Sequence, residues 1–276
     1  MRHVVCVGLA TRDTILAVPR YPAADELVLA TDATIAGGGP AATAAVVLAR
    51  LGLPAVVVDA VGDDEVGTFI REGLASEGVD VSELAVLPGD RSPQSAIYVS
   101  PGARAIAAFG IELRLPPLSP RAVRLCRDAA WVHVDQTGYA AVPRDVRLSI
   151  DAGNPINGLD VAGVALYAPT EAGLQRDFGT PAAALAAGAE LVVVTRGAEG
   201  CTGYTHDGSL EAPATPLEAP VSTLGAGDVF HGALLAQLVG EADLGGALAF
   251  ANACAALSCR ALDGRSAIPT AAEVAA

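Results

Sequence analysis

The sequence predicts a three-layer α/β/α sandwich, with a mostly parallel central sheet and a small β lid at one end. Three observations carry this expectation. Apolar runs of strand length alternate with Ala/Leu-rich stretches of helix length. The strand runs are continuously apolar, as in parallel strands covered on both faces. Two segments, 14–35 and 95–109, break the rhythm with strand-and-turn sequence and no helix.

In chain order, residues 3–9 read as a strand. Residues 40–51 read as a helix that starts just after Gly37-Gly38-Gly39. A strand at 55–60 and a helix at 65–77 follow. Residues 120–127 read as a helix, and 130–134, 147–150, 163–167 and 191–195 as short strands. Residues 226–239 and 244–259 are two long helices. Within the lid, 94–100 and 103–109 flank Pro101-Gly102, which reads as a hairpin turn. The chain shows no linker-like tract and no internal repeat. Residues 1–276 are therefore read as a single domain, with the lid contributed by about 14–35 and 95–109.

Composition excludes several function classes. Of 276 residues, 52% are hydrophobic, ample for a large core, and mean hydropathy is +0.44. The apolar runs are nevertheless too short and too Ala-rich to span a bilayer. The N-terminal run has no small-residue cleavage site and reads as a first buried strand rather than a leader. Net charge is −14, which disfavours nucleic acid as a partner. All 17 basic side chains are Arg, so no mechanism that needs a Lys is available. Cys6, Cys126, Cys201, Cys254 and Cys259 form no C-x-x-C pair. They read as reduced core residues, which implies a cytoplasmic setting.

The chemistry is concentrated in Ser222-Thr223-Leu224-Gly225-Ala226-Gly227-Asp228-Val229-Phe230-His231-Gly232-Ala233. A glycine loop opens a long helix, whose first N–H groups lack internal partners and carry partial positive charge. Gly225-Ala226-Gly227 can cradle an anion. Asp228 follows where a carboxylate could orient an attacking hydroxyl and take its proton, as phosphoryl transfer requires. A simple helix-capping role for Asp228 would use the same residue type.

G-A-G-D followed by an aromatic and Gly-Ala resembles the second motif of the PfkB (ribokinase-like) carbohydrate kinases. The first motif has a counterpart in Gly37-Gly38-Gly39-Pro40-Ala41-Ala42-Thr43-Ala44-Ala45, running into Ala49-Arg50-Leu51-Gly52. Val61-Gly62-Asp63-Asp64-Glu65-Val66-Gly67 is similar to the step between them, and Gly8 with Asp13 to the strand end where the family binds sugar. Some stretches look closer to sulfofructose kinase and its relatives, among them Ser95-Ala96-Ile97 and Gly264-Arg265-Ser266-Ala267-Ile268-Pro269. A sulfonate would need cations, for which the lid offers Arg91, Arg104 and Arg114.

The resemblance implies transfer of the ATP γ-phosphoryl group to a primary hydroxyl of a sugar or sugar derivative. Asp228 would be the base and Gly225, Ala226 and Gly227 the anion hole. Asp13, Gly38, Gly39 and Thr43 would bind substrate, Thr43 standing where many relatives have Asn. Thr195, Gly197, Gly200, Gly225, Gly227 and Asn252 would border the nucleotide. The family's N-x-x-E motif is reduced to Glu171, which could touch Mg2+ only through water, so Mg2+ must arrive with ATP. The loop that binds a monovalent cation such as K+ in relatives has Ser222 in place of Asp. The stretch between Gln136 and Arg147 is too short for a helix usual in the family. The lid implies a homodimer, because its strand edges need partners. His231, three residues after Asp228, reads as packing near the site. His3, His133, His206 and His231 show no metal spacing. Two rivals stay open. One is a nucleoside kinase of the same fold, with Tyr98 and Phe109 as base-slot candidates. The other is a non-catalytic sugar-binding protein on a kinase scaffold.

Overall fold

The computed structural model describes residues 2–110 and 115–274. The chain begins with β1 (Val4–Val7), which is fully buried. It then leaves the sheet to form β2 (Thr11–Ala17) and β3 (Asp32–Gly38) and returns through α1 (Pro40–Arg50). β4 (Ala55–Gly62), α2 (Glu65–Ser76) and β5 (Asp80–Leu87) follow. β6 (Gln94–Ser100) and β7 (Ala103–Phe109) form a hairpin. Next come α3 (Pro120–Asp128), β8 (Trp131–Val134), β9 (Leu148–Ala152) and β10 (Leu166–Pro169). α4 (Glu171–Asp177), α5 (Pro181–Ala186) and β11 (Val192–Thr195) lead to the hairpin β12 (Cys201–Thr205) and β13 (Gly208–Ala212). α6 (Ala226–Val239), α7 (Leu244–Ser258) and the short α8 (Ala271–Val274) complete the chain.

The main sheet has nine strands in the order β13-β12-β11-β10-β9-β8-β1-β4-β5. Its seven strands from β11 to β5 are parallel neighbours, and β12 pairs antiparallel with both β11 and β13. Successive residues of β1 enter opposite layers. Val4 and Cys6 join the core under α1, α2, α6 and α7, while Val5 and Val7 join the core under α3, α4 and α5. This is why the strands read as unbroken apolar runs. A separate four-stranded sheet, β3-β2-β6-β7, forms the lid, with Ile15, Ile97, Val99 and Leu262 at its core.

Several elements differ from the sequence reading. The short helices α4, α5 and α8 were not expected, and β10 lies at 166–169 rather than 163–167. β5 was not expected, because its alternation of exposed Asp80, Ser82 and Val86 with more buried residues is the pattern of an edge strand. The β12–β13 hairpin was also missed, since β13 exposes four of its five residues. β9 runs two residues further than expected, which brings Asp151 into the sheet. Among the described residues, 136–147 contain no helix.

Small residues set how closely the site-bearing helices approach. α1 and α6 cross where Gly232 faces Ala44 and Val47. A methyl group at Gly232 would lie 2.8 Å from the Ala44 carbonyl oxygen and from Val47 Cβ. The Ala-rich face of α1 and the glycine of α6 thus hold two helix N-termini side by side.

Candidate active site

Both N-termini open on one cleft of about 570 Å³, between the lid and the C-terminal ends of the parallel strands. Ligands of open α/β sheets bind at this end, where strands hand over to helix N-termini. Thr11, Asp13, Gly38, Thr43, Asn154 and Asp228 are among the residues that line it.

Two buried carboxylates hold the segment that leads from β1 to the cleft. Asp135, just past β8, accepts N–H hydrogen bonds from Leu9 (2.7 Å), Thr137 (2.8 Å) and Gly138 (3.1 Å). Asp59 of β4 accepts from Ala10 N at 2.7 Å. Together they fix the chain where it leaves β1 for the lid. Gly8 is needed there, because any side chain would overlap the Asp135 carboxylate.

Asp13 sits on β2 and is buried. Thr11 Oγ1 donates to its Oδ1 at 2.9 Å. Burial raises its pKa, opposed by hydrogen bonds from Thr11 and Ser95 and by the charge of Arg265. The three glycines before α1 serve different neighbours. A side chain at Gly37 would overlap the Arg265 guanidinium, and one at Gly38 the Asp13 carboxylate. Gly39 has φ +91° and lies against the Leu9 carbonyl. Arg265 is a site element that the motif reading did not single out. Its Nη2 donates to Gly38 O at 2.6 Å and its Nε to Thr43 Oγ1 at 3.1 Å. Burial lowers its pKa to about 10, against the pull of Asp13 and Asp228.

Across the cleft, Gly225 caps α6 in the left-handed region (φ +73°), with its Cα side packed on Gly264. A methyl group at Gly227 would meet nothing within 4 Å, so the space above the first turn of α6 is open. Asp228 lies in that turn, half-buried and facing the cleft. Desolvation and then the charge of Asp151 push its pKa up to about 7, against the pull of His231 and Arg104.

Beneath Asp228 the fold assembles a group that linear spacing did not show. His231 Nδ1 lies 2.9 Å from Asp151 Oδ2, both residues buried. His133 packs beside them, its ring centre 6.0 Å from that of His231, and its Nδ1 lies 3.1 Å from Ser149 Oγ. The signals were the i, i+3 spacing of Asp228 and His231 and the strand-end carboxylate Asp151, but their meeting depends on the register of β8 and β9.

Other sequence candidates divide. Thr195 lines the cleft beside Thr170 and Thr223. Gly197 and Gly200 bound the turn after β11, where Gly200 (φ +88°) packs on the Ala212 carbonyl. Asn252 spends its amide on the carbonyls of Ala212 (3.1 Å) and Pro213 (2.9 Å) and does not line the cleft. Glu171 is exposed on the first turn of α4, outside the cleft lining. Ser222 is buried, and its Oγ accepts from Leu224 N at 3.1 Å.

Strand alternation corrects the lid candidates. Ser95, Ile97, Arg104, Ile106 and Ala108 face the cleft, so Tyr98 and Phe109 point to the other side and form no base slot. Arg91 stacks on Phe109, 4.3 Å from the ring centre, and is likewise outside the cleft. Arg104 lines it, with Nη1 3.5 Å from Thr223 Oγ1. Arg114 lies outside the described residues.

Comparison with known proteins agrees with this architecture. An ATP-dependent ribose-1-phosphate kinase of Halopiger xanaduensis is 30% identical over all of this chain and 98% of its own length. A ribokinase of Bacillus subtilis is 26% identical over 99% of this chain and 98% of its own. The structure of Arabidopsis thaliana ribokinase complexed with ribose and ATP superposes with a TM-score of 0.83 at 22% identity, covering 99% of this chain and 97% of that one. It shares the fold. The sequence pattern of the pfkB family carbohydrate kinases matches residues 1–145 and 161–271. With that span matched and the ribokinase fold in place, the chain belongs to the pfkB family of carbohydrate kinases.

Proposed function

We propose that this protein transfers the γ-phosphoryl group of ATP to a hydroxyl of a sugar or sugar derivative. The observation that supports this reading best is the placement of Asp228. It stands at an open helix N-terminus, in one cleft with the lid carboxylate Asp13.

In this reading Asp13, Gly38, Gly39 and Thr43 form the sugar subsite, and Asp13 accepts from two sugar hydroxyls. The nucleotide lies along Thr195, Gly197, Gly200 and the loop that Asn252 anchors through Ala212 and Pro213. Asp228 takes the proton of the attacking hydroxyl. The new O–P bond forms as the bond to the β-phosphate oxygen breaks, and ADP leaves. The backbone N–H groups of Gly225, Ala226 and Gly227 stabilise the charge that builds on the transferred group.

Among the described residues, the cluster whose atoms could meet at one metal ion is His133, Asp151 and His231, which this reading uses as a charge pair with a packed imidazole. Glu171 lies outside the cleft lining, and Asp151 is taken by His231. Magnesium therefore belongs to the nucleotide, as the MgATP substrate. With a hydroxyl at Ser222 and no carboxylate, turnover is expected to depend little on K+. The whole chain acts as one kinase domain in the cytoplasm, and its lid pairs with a second copy.

A coupled ADP-release screen over free sugars, sugar phosphates, sulfosugars and nucleosides tests the reading. The relative that acts on ribose 1-phosphate makes phosphorylated sugars a natural part of the panel. Turnover confined to nucleosides, or none with any acceptor, would count against it.

A further inference from the structure

Asp228 has a charge environment that its own helix does not explain. A base in a half-buried cleft must lose its proton to work, and the nearest negative charges oppose that. Asp151 from β9 and Asp135 after β8 both disfavour ionisation of Asp228. Opposing them are His231 on α6, Arg104 on the lid strand β7 and Arg265 from the C-terminal loop. Arg104 is exposed on the lid strand, 3.5 Å from Thr223 Oγ1, and Arg265 is committed to Gly38 and Thr43. His231 is the fixed cation, one turn along the helix from the carboxylate.

We propose that Asp151 and His231 form a buried ion pair that sets the proton affinity of Asp228 and hence the pH range of phosphoryl transfer. This rests on the kinase reading above. Asp151 has no Lys or Arg hydrogen-bonded to it among the described residues; its protein contacts are His231 at 2.9 Å and the N–H of Gly153 at 2.9 Å. A buried carboxylate so placed holds the facing imidazole protonated. The two charges then largely cancel at Asp228, and each is needed for the balance. His133, the other imidazole in the group, stays neutral because burial and the charge of His231 lower its pKa to about 4. Its one hydrogen bond joins Nδ1 to Ser149 Oγ at 3.1 Å. Its Nε2 is buried without a hydrogen-bond partner, as are both ring nitrogens of His231, so the 2.9 Å approach of His231 to Asp151 is a charge contact. His231 is therefore a positioning residue: it acts on the reaction through Asp228.

The pair makes a signature that loss of structure would not. Without His231, Asp151 faces Asp228 uncompensated, and the base holds its proton to higher pH. The acid limb of the kcat/KM profile in H231N should move up by about one pH unit, the order expected for one nearby buried charge, with kcat recovering at high pH. In the double variant D151N/H231N the repulsion is also gone, and the limb should move back toward wild type. A limb unmoved in folded H231N, or one that the second substitution fails to reverse, would overturn the proposal.

Histidine ring NMR of the unmodified protein gives a second readout that needs neither a substrate nor a variant. His231 should remain doubly protonated above the ordinary range near 6.5, while His133 stays neutral. A neutral His231 ring at pH 6 would overturn the pairing, and so would stoichiometric zinc in the purified protein. A failed kinase reading would leave the NMR result standing, so the two ideas are separable.

Discussion

Arg265 Nε donates to Thr43 Oγ1 at 3.1 Å, joining the C-terminal loop to the first turns of α1. The Arg donates and the hydroxyl oxygen supplies the acceptor. The same guanidinium reaches Gly38 O and carries positive charge toward Asp13 and Asp228. One buried cation thus ties the glycine loop, Asp13 and Asp228 together.

Replacing Arg265 with Met should leave Gly38 O and Thr43 without their buried donor. Lost hydrogen bonds to a charged group predict a destabilisation of about 2–4 kcal/mol. Sugar KM should rise more than ATP KM, because the loss falls on the Asp13 side. A denaturant melt and a two-substrate kinetic analysis check both parts. Unchanged stability would show that Arg265 is not the keystone of the loop.

Asp13→Ala should weaken sugar binding while leaving ATP binding nearly intact. Two charge-assisted hydrogen bonds to sugar hydroxyls are worth about 1.5–3 kcal/mol each when fully formed. Calorimetry with the best acceptor from the screen reads this directly. Equal sugar affinity would place the sugar elsewhere.

Asp228→Asn keeps size but removes the basic electron pair. Turnover should fall by about 10²–10⁴, the usual cost of losing a general base. Stability should change the other way at alkaline pH. With the folded pKa at about 7 and an unfolded value of about 3.9, the native state binds more protons over this window. The wild type therefore loses stability as pH rises from about 4 through 7. At pH 8 the Asn variant should be more stable by on the order of 2 kcal/mol, allowing for the half-exposed site. At pH 4 the two should melt nearly together. Turnover within about threefold of wild type, well short of that range, would sink the assignment of Asp228 as base.

Gly232→Ala should cost about 1–3 kcal/mol, because the added methyl group would press on the backbone of α1 at Ala44. The chemistry should follow, since α1 and α6 carry the two halves of the cleft. A thermal melt that matches wild type would mean the helix pair can slide without penalty.

The lid should be a dimer surface. β3 and β7 are its edge strands, and Leu27, Leu29 and Ile35 are exposed nearby. Light scattering at working concentration should give a mass of two chains. A strict monomer would remove the lid from the interface.

Much of this protein is determined by sequence alone, because the signals are local. Helices α1, α2, α6 and α7 begin within a residue of their glycine, Pro or Asp start signals. The loop Gly225-Ala226-Gly227 places Asp228 in the first turn by chain connectivity, whatever the rest of the fold does. The β6–β7 hairpin follows from Pro101-Gly102 between two apolar runs. What only tertiary structure decided is what meets across layers. The side of the lid hairpin that faces the cleft turned Tyr98 and Phe109 away, since a period of two fixes faces but not which face is covered. Arg265 meets Thr43 across 222 residues, and His231 meets Asp151 across 80. No spacing rule spans such separations. These contacts exist because the parallel sheet sets strand ends level, and the close α1–α6 crossing lowers both helix N-termini onto them.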